Sequence, residues 1–242
     1  MRVGYRNWFG SVDDRAALDD LHRREVNYRS EELDQSAWHR DCHRTRLPDE
    51  APGPPTPTGS WEQARRLIEM YEAPVPSLIR GLYRADAPLH GRDMLLEGRF
   101  YGLHFYMGVR VTDVIDQTRE DRARVWGWSY ETLQGHLERG RLTYEVVKYL
   151  DSGRVEFVTH GVSQGAPTLG PLVGLGWRTF GRRTQLRFYR ETGERVQRIV
   201  GDVLAGVRPA PTPVVVDGLV RAPSDAGQRA AVRLALRSSH PG

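Results

Sequence analysis

Three consecutive stretches decide the fold: Arg122-Ala123-Arg124-Val125-Trp126-Gly127-Trp128-Ser129-Tyr130-Glu131, then Gly135-His136-Leu137-Glu138-Arg139-Gly140, then Arg141-Leu142-Thr143-Tyr144-Glu145-Val146-Val147-Lys148-Tyr149-Leu150. Side chains alternate in kind with period two in the outer pair, which is the pattern of strands, and the glycine-bounded middle is short enough for a hairpin connection. The same reading extends to neighbouring segments and predicts strands at 93–100, 103–115, 122–131, 141–150 and 154–163. They are separated by Gly102, by the polar segment Asp116 to Asp121, and by Asp151-Ser152-Gly153. None of these links can hold a crossover helix, so the strands form an antiparallel meander.

Outward from this core the period changes. After Pro171 a long helix is expected to about Leu204, with Trp177, Phe180, Thr184, Phe188, Ile199 and Val203 on one face and Arg183, Arg187, Arg190 and Glu194 on the other. Upstream, residues 12–24 read as a short helix, acidic early and basic late, as its dipole prefers. Ser60 and Gln63 have capping-box spacing ahead of Trp61, Ala64, Leu67, Ile68 and Tyr71, and a second short helix is expected from Ser77 to Tyr83. Five of the ten residues from Pro48 to Pro57 are proline, which makes an extended strap. The expected organisation is a helical extension at 1–24, a main domain at 25–205 carrying the strap at 48–57, and a basic, flexible tail at 206–242 whose residues 224–237 could form a last helix.

This order gives an α+β fold in which the long helix lies across the concave face of a curved antiparallel sheet. Such a helix leaves a cavity between itself and the sheet, a natural site for a small molecule. Three segments carry a family resemblance: Trp126-Gly127-Trp128-Ser129-Tyr130, Thr132 through Gly140, and Phe180-Gly181-Arg182-Arg183-Thr184-Gln185-Leu186-Arg187-Phe188. With Val26-Asn27-Tyr28 and Trp38-His39, they resemble an uncharacterised bacterial and plant family, uncharacterised protein family number 0548, over roughly residues 25 to 200. The resemblance implies the helix-grip fold of START-like and birch-pollen-allergen-like proteins, and it implies no reaction.

Composition narrows the function. The chain has 242 residues and a net charge of +4, and of its 35 basic residues Lys148 is the sole lysine. Arginine suits phosphate recognition, but a GC-rich genome gives the same bias, and residues 164–242 hold 12 basic against 5 acidic side chains, so the surplus is local. Specific nucleic-acid binding is therefore not expected; a weak contact between the basic helix face and an anionic surface is left open. One cysteine, Cys42, excludes an intrachain disulfide framework. The N-terminus has no apolar leader, and the run Leu169 to Trp177 is too short to cross a bilayer, so a cytoplasmic protein without a transmembrane segment is expected.

The candidate ligand-binding residues are Trp126, Trp128, Tyr130, His136, Glu138, Tyr144, His160 and Arg182. The aromatics Trp126, Trp128 and Tyr130 alternate on one strand face and could line a pocket, although aromatics more often fill a core. His136 and Glu138 can anchor a polar head group or move protons, His160 is a second candidate, and Arg182 could clamp a carboxylate. Gly161-Val162-Ser163-Gln164-Gly165 matches the nucleophile elbow in letters but lacks the helix that should follow it. His39, Asp41, Cys42 and His43 fall short of a paired metal set, and no phosphate loop or dinucleotide fingerprint is present, so no metal or cofactor is expected. The first expectation is a binding protein for a hydrophobic small molecule or lipid. A cavity enzyme using His and Glu, cyclase- or hydrolase-like, and an interaction protein using its basic face and tail are the alternatives. Alternation leaves open which sheet face lines the cavity, and the sequence does not give the oligomeric state.

Overall fold

The structure is a computed structural model that describes residues 13–29, 31–32, 38–100, 103–165 and 182–224. Its elements run α1 (Asp14–Leu21), β1 (His39–Arg46), α2 (Ser60–Glu69), β2 (Ile79–Arg84), β3 (Asp93–Phe100), β4 (Leu103–Thr118), β5 (Ala123–Thr132), β6 (Glu138–Tyr149), β7 (Val155–Gly165), α3 (Arg182–Leu204), β8 (Val214–Val216) and β9 (Leu219–Ala222). The nine strands among the described residues join one sheet in the order β1-β7-β6-β5-β4-β3-β2-β9-β8. Every pairing is antiparallel. The five-strand meander expected between 93 and 163 thus forms the middle of a larger sheet. A register shift between Val111 and Asp113 in β4 marks a bulge, which bends a strand and strengthens its twist.

The sheet buries both faces in its middle. On one side α2 and α3 pack against it and each other, and Trp61, Leu67, Trp128, Tyr144, Phe157, Val196 and Ile199 belong to this main core. On the other side α1 covers β2, β3 and β4 through Leu18 and Leu21, which meet Leu82, Leu95 and Leu133. Helix α3 packs chiefly on β1, β7 and α2, with Tyr189, Val196, Ile199 and Val200 inward. Its outer face carries Arg183, Arg187, Arg190 and Glu194, all exposed, as the helical period requires. No helix among the described residues is long and apolar enough to cross a membrane.

Three expectations are corrected, and one strand appears where the sequence reading placed no element. Ser77 to Tyr83 is no helix: after a turn the chain enters β2, where Leu82 joins the α1 side of the core and Tyr83 the other. Leu78, Ile79 and Leu82 fit a helical stripe as well as a strand, and the tertiary pairing with β3 and β9 decides. The polar run His39–Arg46 is the edge strand β1, paired along its whole length with β7. Residues 214–222, placed in a flexible tail, form the hairpin β8–β9 around Asp217-Gly218, whose φ angles of +51° and +76° suit a tight turn of this kind. Ser60 does not cap α2 either, because its hydroxyl donates to the Pro48 carbonyl at 2.6 Å. The cap comes from the strap: Glu50 Oε1 accepts the Trp61 amide at 2.8 Å. The helix expected at 224–237 and the segment before Arg182 lie outside the described residues.

The strap is held by the chain's single lysine. Lys148 reaches from β6 and donates to Glu50 Oε2 at 2.7 Å and to the Pro54 carbonyl at 2.9 Å, with none of its side chain exposed. Burial pushes the Glu50 carboxyl upward, but the Lys148 ammonium and the Trp61 and Thr56 amides outweigh it and hold it below the usual range.

Candidate functional site

Helix α2 covers the sheet over β5 and β6 and α3 covers it over β1 and β7, which leaves a gap above the remaining strands. The gap is a partly open cavity of about 160 Å3. Its walls are Leu78, Ile79, Leu96, Phe105 and Met107 from the β2–β4 side, Tyr130 and Leu142 from the floor, and Phe188 and Tyr189 from α3. Two features of the sequence keep it open. Gly98 stands at an inward position of β3, where any side chain would enter the cavity beside Met107. Gly161 leaves room for Tyr189, whose hydroxyl would lie only 2.0 Å from a Cβ placed there.

The polar end of the cavity is the loop between β5 and β6. Gly135 has φ +88°, which glycine adopts freely, and it turns His136 inward. The Glu138 amide donates to His136 Nδ1 at 2.9 Å. That bond uses the only lone pair of a neutral imidazole, so the ring hydrogen sits on Nε2 and the ring is a donor. Burial lowers the His136 pKa to about 4, so the ring stays neutral at pH 7. The loop is tied down from behind: Asn27 Nδ2 donates to the Glu138 carbonyl at 2.9 Å, and Thr132 Oγ1 donates to Asn27 Oδ1 at 2.6 Å. Tyr28 donates to Glu131 at 2.6 Å and packs on Trp38.

The eight candidate residues divide. Tyr130, His136 and Glu138 line the cavity. Trp126, Trp128 and Tyr144 share the inward face with Tyr130 but do not line it. Trp128 lies beneath α2, donating its indole N–H to the Ile68 carbonyl at 3.0 Å, and Trp126 carries the Arg65 guanidinium 5.2 Å above its ring. Tyr144 is sealed between Tyr71, Trp128 and Phe157. His160 points to the opposite face, where it meets Glu145 at 3.2 Å and Arg119 also binds that carboxylate. Arg182 is no ligand clamp: its guanidinium is held by both carboxylate oxygens of Asp41 and anchors the start of α3 to β1. The lining from β2, β3 and β4 escaped the sequence reading, since nothing local distinguishes Leu96 or Met107 from ordinary core residues. Thr184 and Gln185 of α3 also line the cavity.

The remaining motifs are absorbed by the fold. Ser163 is an inward residue of β7 whose hydroxyl accepts the Gln185 amide at 2.8 Å, and the strand continues through Gly165 with no elbow. On β1, alternation puts His39, Asp41 and His43 on one face, with Asp41 and His43 partly covered and His39 exposed at the strand's start, and puts the exposed Cys42 on the other face. On the outer side of α3, Arg187 pairs with Glu191 at 2.6 Å, and Arg190 approaches Glu194 at 3.8 Å.

A domain of unknown function, DUF1990, matches residues 23–195. That span covers nearly all of the stretch over which the family resemblance was read. No curated protein matches the chain. Solved structures similar to it include Ara h 8.0201, at 9% identity and a TM-score of 0.39, covering 66% of this chain and 99% of that one. A point mutant of Thalictrum norcoclaurine synthase in complex with a transition-state analogue is similar at 10% identity and a TM-score of 0.43, covering 68% and 95%. The major latex-like protein 151 of Panax ginseng is similar at 11% identity and a TM-score of 0.42, covering 67% and 97%.

Proposed function

The chain belongs to the DUF1990 family of domains of unknown function, and from that premise we propose that it binds a compact hydrophobic molecule in the cavity between its sheet and α3. One observation carries the reading: two of the segments that carry the family resemblance meet across this cavity. His136 and Glu138 approach from the β5–β6 loop, and Thr184, Gln185 and Phe188 from α3. The walls are mostly apolar with a few convergent polar groups, which is the usual make-up of a small-molecule site.

Volume limits the ligand. An apolar cavity of about 150 Å3 accepts benzene. The 160 Å3 of this partly open cavity therefore suits a single ring better than the acyl chain of a lipid. Acid–base catalysis gains no support at His136, because its lone pair is occupied by a backbone amide and burial keeps it from taking a proton near neutrality. His160 lies on the far face of the sheet and serves no reaction in this cavity.

Native mass spectrometry of the purified protein, followed by solvent extraction, tests the proposal. An apolar molecule of roughly ring size at near-stoichiometric amount supports it. A bound population dominated by long-chain lipid contradicts the size argument.

A further inference from the structure

Several buried aromatics have partners for their polar groups: Tyr28 donates to Glu131, Tyr83 donates to the Met70 carbonyl at 3.0 Å, and Trp128 donates to the Ile68 carbonyl. The indole N–H groups of Trp38 and Trp61 meet no partner among the described residues, and neither ring lines the cavity. Under the cavity floor the unpartnered groups are hydroxyls, and they cluster. Tyr71 and Tyr144 are each 1% exposed, and outside the cluster they form with Tyr130 their hydroxyls have no hydrogen-bond partner among the described residues. The Tyr144 ring lies 6.4 Å from that of Tyr71 and 6.3 Å from that of Tyr130. Tyr130 lines the cavity, so the cluster opens into it through that residue.

Burial keeps all three phenols protonated, so each is a donor as well as an acceptor. Three such groups can donate in sequence, Tyr71 to Tyr144 and Tyr144 to Tyr130, and each link strengthens the next. The last donor, Tyr130, lines the cavity, where it can give its hydrogen to an acceptor that a ligand brings. Phenylalanine would fill the same ring space without an unpaired polar atom, so packing alone does not account for the hydroxyls.

We propose that Tyr71, Tyr144 and Tyr130 form a donor chain ending in the cavity, and that the ligand is an uncharged ring compound bearing one acceptor oxygen, such as a ketone carbonyl. This rests on the binding function proposed above and adds the ligand class. An anionic oxygen is disfavoured, because among the described residues the floor holds no cation and the lining arginines are engaged elsewhere, Arg141 with Asp113 at 2.8 Å and Arg99 with Glu97 at 3.4 Å.

The test uses three one-ring probes: acetophenone, its hydrocarbon analogue cumene, and benzoate. Their affinities are measured by calorimetric titration in the parent and in Tyr130→Phe, with Tyr144→Phe as a second variant should the first fail to fold. Loss of the Tyr130 hydroxyl should weaken acetophenone about 10-fold and leave cumene within 2-fold, the expected cost of one hydrogen bond in a dry site. Tyr144→Phe should act in the same direction, more weakly. Equal changes for acetophenone and cumene, or benzoate binding more tightly than acetophenone, would overturn the inference while the binding function stands. Saturable binding by neither neutral probe would remove the binding function and the inference with it.

Discussion

Replacing Lys148 by methionine removes a charge from the interior while keeping most of the side-chain volume. In the parent, Nζ holds Glu50 at 2.7 Å and the Pro54 carbonyl at 2.9 Å, with the two side chains 0% and 5% exposed. After the substitution Glu50 keeps the amides of Trp61 and Thr56, at 2.8 and 3.2 Å, but burial is no longer opposed by the ammonium. A buried carboxylate stripped of its partner costs about 3 to 5 kcal/mol, and we take about 4 because the two amides remain. With a urea slope of about 3 kcal/mol per molar, the denaturation midpoint at pH 7 should fall by about 1.3 M, read by tryptophan fluorescence. The pH dependence identifies the cause. In the parent the folded carboxyl titrates below its unfolded value, so its contribution is complete above the unfolded pKa of 4.5 and is lost as the pH falls through the folded one. In the variant burial raises the folded pKa, the carboxyl protonates earlier, and the deficit relative to the parent shrinks as the pH approaches 4.5. The double variant Lys148→Met with Glu50→Gln should recover at least half of the loss. A midpoint at pH 7 within about 0.3 M of the parent, against the about 1.3 M expected from losing the ion pair, would refute the reasoning. A deficit of the same size at both pH values would refute it too.

Three further outcomes follow from the same geometry. His136 titrates at about 4 when folded and near 6.5 when unfolded, so the neutral ring's contribution is complete above pH 6.5 and declines toward pH 4. Between pH 7 and pH 5 this should cost about 2 kcal/mol, and His136→Asn should flatten that part of the profile; an unchanged slope in urea titrations would contradict it. Gly161→Ala places a methyl group 2.0 Å from the Tyr189 hydroxyl and should destabilise by about 1 to 3 kcal/mol, with Tyr189→Phe recovering part of the loss in a double-mutant cycle. Arg182→Met breaks a partly exposed ion pair and should cost about 1 kcal/mol or less, with the ligand retained; loss of the ligand would return Arg182 to the site.

Much of the sheet could be read from particular residues. Trp126, Trp128 and Tyr130 alternate with Val125, Gly127 and Ser129, and short polar turns allow one topology for strands β3 to β7. Strand β1 offered no such signal, because His39 to Arg46 contains only Cys42 among its less polar side chains and owes its form to the β7 ladder. The hairpin at 214–222 did carry one, a valine run ending in Asp217-Gly218, which the surrounding prolines masked.

The site divides for the same physical reason. Alternation tells which face a residue occupies but not what covers that face, so Tyr130 under the gap and Trp128 under α2 look alike in sequence. His136 and Glu138 were legible because two glycines isolate their loop. The arginines that dominate the composition serve the fold in part: Arg65, Arg92, Arg124, Arg139 and Arg154 each lie over an aromatic ring within 5.7 Å.

The central claim, that the space under α3 is a binding site and not incidental packing, is tested most directly by titrating benzene into the parent and into Gly98→Leu. The leucine enters the cavity at the cost of moving only the flexible end of Met107, whose Cε lies 2.8 Å from the new Cβ. The account predicts one saturable benzene site in the parent, its loss in Gly98→Leu, and a variant more stable by about 1 to 2 kcal/mol from the buried side chain. Absence of a saturable site in the parent, or equal benzene affinity in both proteins, would contradict it.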